Sequence, residues 1–144
     1  MAGKSDTFEN DLLKMIFNAT PIANLADNAV TAPLTSLFVA LHTADPSDTG
    51  TQASSEATYT GYARVAVLRT AGGWTISGTT QVAPLAAITF PACTAGANTI
   101  TYWSVGVASS GATKYLYAGA VAPTISVSNG VTPQLTTAST ITED

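Results

Sequence analysis

Between Arg69 and Glu143 the chain carries one charged residue, Lys114. The rest of residues 70–142 is dominated by Thr, Ser, Gly, Ala, Val and Ile, with a few aromatics. Soluble domains place charge at about a quarter of their positions, whereas this chain does so at 10 %. Charge keeps a surface solvated and opposes association. A long β-type stretch that gives it up is expected to meet other protein surfaces over part of its area. The chain reads as a building block of an assembly.

The 144 residues suit one compact domain. Within it, residues 1–35 are expected to form an N-terminal helix and connecting arm, and residues 36–144 a β-sandwich. The net charge is −4, and the five basic residues, Lys4, Lys14, Arg64, Arg69 and Lys114, are scattered. They cannot make a phosphate-tracking patch, so neither nucleic acid nor an anionic membrane is an expected partner. No apolar run is long enough to span a bilayer. The N-terminal residues lack the positive and apolar regions of a secretion signal. The single cysteine, Cys93, excludes a disulfide framework within one chain and a cysteine-based zinc site. It is expected to be a small buried hydrophobe.

Residues 6–18 have helical period, with Phe8, Leu12, Leu13, Ile16 and Phe17 on one face. Asp6 and Glu9 have capping-box spacing, and Pro21 disfavours extension past Thr20. A helix this short is marginal alone and must pack its apolar face on something. Strands are expected at 37–43, 62–69 and 98–108, and in short pieces near 74–77, 81–82 and 87–90. A strand at 115–121 should break at Pro123, and Asn129-Gly130 should turn a hairpin between 124–127 and 131–135. Many short strands, closely spaced turns and one helix predict a mainly β fold. Its expected form is an antiparallel β-sandwich or jelly-roll-like barrel with a short N-terminal α-helix. No βαβ alternation or internal repeat is present.

The residues that could carry chemistry do not assemble into a motif. His42 is the only histidine, and no serine lies in a G-x-S-x-G elbow. Asp45, Asp48 and Glu56 share a loop but lack calcium-loop spacing. Neither paired carboxylates in a β-core nor a phosphate loop occurs. No enzyme activity, metal or cofactor is therefore expected. Tyr59, Tyr62, Trp74, Tyr102, Trp103, Tyr115 and Tyr117 leave a small carbohydrate-binding module as a remote alternative.

One run carries a resemblance. Leu37–Val67 reads LFVALHTADPSDTGTQASSEATYTGYARVAV. It combines an L-x-V-A-L-H-T strand, an A-D-P-x-D-x-G turn, a polar S-E loop and a G-Y-A-R segment. With Ile88–Pro91 (I-T-F-P), Thr101–Gly106 (T-x-W-x-V-G) and Tyr117–Val121, it resembles a family of small tailed-bacteriophage and prophage virion structural proteins. These are commonly labelled tail-fibre-like. The resemblance implies a virion part, on the capsid exterior or the tail. The favoured expectation is a capsid decoration or cement protein that binds and stabilises the assembled shell. The alternative is a tail-fibre or tail-tip component involved in host attachment. Expected partners are the major capsid protein or other virion proteins, together with further copies of the chain. Phe8, Leu12 and Ile16 of the helix, with Arg64 and Arg69, are the candidate partner-interface residues.

Overall fold

The computed structural model describes residues 6–22, 33–78 and 80–142. Among the described residues the fold is mainly β, with several antiparallel sheets, one short N-terminal helix and no closed barrel. Contacts group the described residues into two compact units.

The first unit takes its residues from Met1–Ser36, Leu68–Ala87 and Thr136–Asp144. It holds helix α1 (Asp6–Asn18) and a sheet of β3 (Trp74–Ser77), β4 (Gln81–Pro84) and β9 (Ile141–Thr142), in the order β3-β4-β9. Leu13 and Phe17, four apart on the expected apolar face, are fully buried. Phe17 meets Trp74 edge-on at 4.8 Å between ring centroids. Leu12 and Ile16 flank that stripe and are half-buried, and the side chain of Phe8 lies outside the described residues. The helix stops before Pro21 because Ala19 turns left-handed, at φ 54°. Thr20 N–H then reaches back to the Lys14 carbonyl at 3.2 Å, satisfying one of the carbonyls the helix end leaves free.

Pro84 lies in β4, the middle strand, opposite Trp74. The other neighbour, β9, pairs only with Gln81 and Val82. The missing N–H therefore falls where one flank of the strand has no partner.

The second unit comprises Leu37–Val67 and Ile88–Leu135. Its main sheet runs β2-β1-β6-β7, from β2 (Val65–Leu68), β1 (Ser36–His42), β6 (Asn98–Gly106) and β7 (Tyr115–Val127). The β1–β6 register pairs Phe38 with Gly106, Ala40 with Ser104 and His42 with Tyr102. Those six residues share one face. Val39, Leu41, Trp103 and Val105 form the other, which is buried and apolar. β5 (Ile88–Thr89) and β8 (Gln134–Leu135) make a separate two-stranded ladder.

Two expectations near Pro123 are corrected. β7 does not break there but continues to Val127. Its pairing jumps from Tyr102↔Ala120 to Ile100↔Ile125, so residues 121–124 bulge opposite Thr101. The bulge takes Pro123 out of the ladder on what is already the edge strand. The Asn129-Gly130 turn forms, but it does not fold β8 back onto β7. Only Gly130 takes positive φ, at 87°, whereas a two-residue type I′ hairpin needs it at both residues. The chain leaving the turn runs instead beside residues 88–93. There Cys93 N–H donates to Val131 O, and Phe90 N–H to Pro133 O.

Truncating Phe17 removes the ring that closes the helix onto β3. Phe17→Ala is expected to cost about 3–5 kcal/mol, seen as a lower urea midpoint. A loss below about 1 kcal/mol would mean that the helix contributes little to the first unit.

Candidate functional site

The polar face of the main sheet is where the sequence concentrates unusual residues. Gly106 has no side chain, and Ala40 and Ser104 have small ones, so a shallow floor remains. The loop after β1 fills it. Gln52 is fully buried against this floor. Its Nε2 donates to Phe38 O at 2.7 Å, and its backbone N–H to Thr113 O at 2.8 Å. A Cβ on Gly106 would lie 2.1 Å from Gln52 Oε1, so glycine is required for this seat.

Arg64 closes the arrangement. Its side chain is 1 % exposed and pairs with Glu56, at 2.7 Å from Nε to Oε1 and 2.8 Å from Nη2 to Oε2. This is the fork-to-fork geometry that arginine provides and lysine cannot. Nη1 donates to Gln52 Oε1 at 3.1 Å and Ala108 O at 3.0 Å, and Nη2 donates to Gly111 O at 2.8 Å. Nη1 also lies 3.3 Å from Thr113 Oγ1. One guanidinium thus joins the 43–56 loop to the 107–114 loop. Tyr115 adds an outer tie by donating to Ser47 O at 2.7 Å.

His42 lies fully buried in the same layer. Its Nδ1 is 2.8 Å from Ser54 O and its Nε2 is 2.8 Å from Ser104 Oγ. A carbonyl can only accept, so Nδ1 carries the proton and neutral Nε2 accepts from the serine hydroxyl. Burial pushes the imidazole pKa below its ordinary value, and the bond to Ser54 O opposes this only in part. The His–Ser contact has the form of a nucleophile and its base, but both residues are fully buried and the third position is a backbone carbonyl. Tyr62 donates to Glu56 Oε1 at 3.0 Å and accepts from Leu41 N–H at 3.1 Å. Its phenol pKa is pushed up by burial.

This layer accounts for the motifs residue by residue. Gly61 takes φ 100°, and a Cβ there would stand 2.6 Å from Ala92 O. Tyr62 and Arg64 then enter the layer, so the strand expected from 62 begins only at Val65. Asp45 Oδ1 accepts from Ser47 N–H at 2.9 Å, closing the turn. Glu56 is committed to Arg64 and cannot serve a cation with Asp45 and Asp48. Among the described residues no three His, Cys, Asp or Glu side chains converge as metal ligands.

The two arginines proposed for partner contact are used inside the chain. Arg64 is spent on the layer just described. Arg69 donates to the Met15 and Ile16 carbonyls, which belong to the last turn of α1, where carbonyls lack helical partners. The role of Gln52 is not legible in the sequence, because a glutamine in a polar loop gives no sign of burial. The one available signal is Gly106, a glycine ending a strong strand, which marks a close approach.

The family model described as Podophage GP4 fiber I protein gp80 matches residues 3–142. The match covers nearly the whole chain, which therefore belongs to this family of bacteriophage fibre proteins and is a virion structural component. No curated protein matches it.

Two outcomes follow from the buried layer. Arg64→Ala removes the buried guanidinium, takes the donor from the Ala108 and Gly111 carbonyls and leaves the half-buried Glu56 without its ion-pair partner, and is expected to cost about 3 kcal/mol in urea unfolding. The double change Arg64→Met, Glu56→Leu should recover much of that loss, since no unpaired charge remains. Acid should also weaken the fold. The unfolded chain takes up a proton on His42 near its ordinary pKa of about 6.5, and the folded chain only at lower pH. Stability should therefore fall as pH drops below about 6.5. Urea midpoints of the wild type and His42→Gln between pH 7 and 5 check this, and equal slopes would sink it.

Proposed function

We propose that this chain is a structural subunit of a bacteriophage fibre, acting by binding and holding position and not by catalysis. The family match over residues 3–142 carries the proposal. The buried layer supports it, because Arg64, Glu56, Gln52 and His42 spend their polar groups on holding loops in place. His42 and Ser104 are fully buried, which speaks against a nucleophile that must reach a substrate.

The proposed partners are other virion proteins and further copies of the chain. Neither nucleic acid nor membrane is proposed, since five scattered basic residues in a chain of net charge −4 offer no anion-binding surface. Repetition is the physical basis of such a role. Many weak contacts made at once hold a particle together more strongly than any single one.

Capsid decoration is the second reading. It is favoured by the absence from the sequence of the heptads or repeats that a long fibre shaft uses. A protein that binds only the assembled shell would stabilise it by mass action.

Gold-labelled antibody against the chain, imaged on intact virions, separates the two. Label confined to fibres is expected. Label distributed over the head shell, with loss of heat resistance on stripping, would overturn the fibre assignment in favour of decoration.

A further inference from the structure

The edge of the main sheet offers a surface that the fibre role does not by itself specify. β7 is last in the strand order β2-β1-β6-β7. Its outward backbone groups have no strand beside them among the described residues. It is thirteen residues long, and the chain from Tyr115 to Thr142 contains no charged residue. Ala118, Ala120, Ala122 and Pro123 are exposed, while Leu116, Val121 and Ile125 are half-buried. Edge strands are normally blunted by shortness, charge, proline or bulges. β7 uses the last two only in part. The bulge and Pro123 occupy 121–124, and a smaller irregularity lies between Tyr115 and Tyr117. Between them Tyr117–Ala120 keeps an unbroken register with β6.

We infer that β7 is a self-association edge, pairing antiparallel with β7 of a second copy through the run Ala118–Ala120. Three observations select a second copy as the occupant. An antiparallel backbone edge is complementary to itself about a two-fold axis. The side chains along the run are small at Ala118, Gly119 and Ala120, so two backbones can approach closely. The charge distribution allows the approach here, since residues 115–142 carry no charge, and disfavours it at the acidic segments 6–27, 45–56 and 143–144. The pairing would continue the main sheet across both copies. The inference goes beyond the fibre assignment and does not rest on it, since a monomer can also serve as a virion part.

Sedimentation velocity of the full chain over a concentration series tests it. The wild type is expected to reach twice the monomer mass. Ala118→Lys with Ala120→Lys places like charges across the two-fold axis and should raise the dissociation constant about tenfold or more. Leu68→Lys, on the β2 edge where Leu68 is 58 % exposed, should leave the dimer intact. A wild type that stays monomeric at its highest soluble concentration overturns the inference. So does a dimer that Leu68→Lys dissolves and the alanine changes do not. Both alanines are exposed, and circular dichroism checks that the variant folds. Should it fail to fold, amide exchange of the wild type decides without mutation. Exchange at 118–120 that slows with concentration supports the pairing, and exchange independent of concentration refutes it.

Discussion

The Arg64–Glu56 pair is the contact on which the polar half of the second unit depends. A buried ion pair is poor evidence of stability in itself, because desolvating two charges costs much of what their attraction returns. Its value here is specificity of position. The guanidinium has donors in a fixed plane, and their acceptors come from two separate loops and from the buried amide of Gln52. No other side chain present could satisfy those positions together. Two long loops, which would otherwise open locally at small free-energy cost, are thereby held to one conformation. The sheet prepares for this by presenting Gly106, Ala40 and Ser104 as a floor without bulk, and by turning its large residues to the opposite face.

That division of the sheet into two differently packed faces bears on the assembly role. Val39, Leu41, Trp103 and Val105 form an ordinary apolar face, while the opposite face is closed by polar groups satisfied almost entirely within the unit. The hydrogen bonds fix two loops, the first of which still exposes Asp45 and Asp48. In the proposed structural role, loops already ordered would avoid the entropy cost of ordering them at each contact.

Much of this was legible in the residues. The helix over 6–18, the strong strand from 98, the turn at 45–50 and the mainly β class follow from period and turn chemistry, which are local. The corrections arise where a distant segment decides. Pro123 looks like a strand breaker because local sequence cannot show that β6 tolerates a bulge opposite it. Asn129-Gly130 looks like a hairpin turn because the pairing of residues 130–133 beside 88–93 is non-local. Arg64 and Arg69 look available for a partner because they stand in a charge-poor sequence. Each also has acceptors elsewhere in the chain, Glu56 and loop carbonyls for Arg64 and helix-end carbonyls for Arg69.

The sequence by itself determined that the chain is β-rich and that its charges keep out of residues 70–142 apart from Lys114, and its motifs resemble those of a virion protein family. The first two are properties of composition and of neighbours within a few residues. Only the tertiary structure decided that the motif residues meet in one layer, with His42, Gln52, Glu56, Tyr62, Arg64 and Ser104 within hydrogen-bond reach of one another in turn. It also decided that the neutral stretch ends its sheet on an open strand. Both are consequences of strand order and register. These place residues dozens of positions apart side by side, and short-range preference cannot specify them.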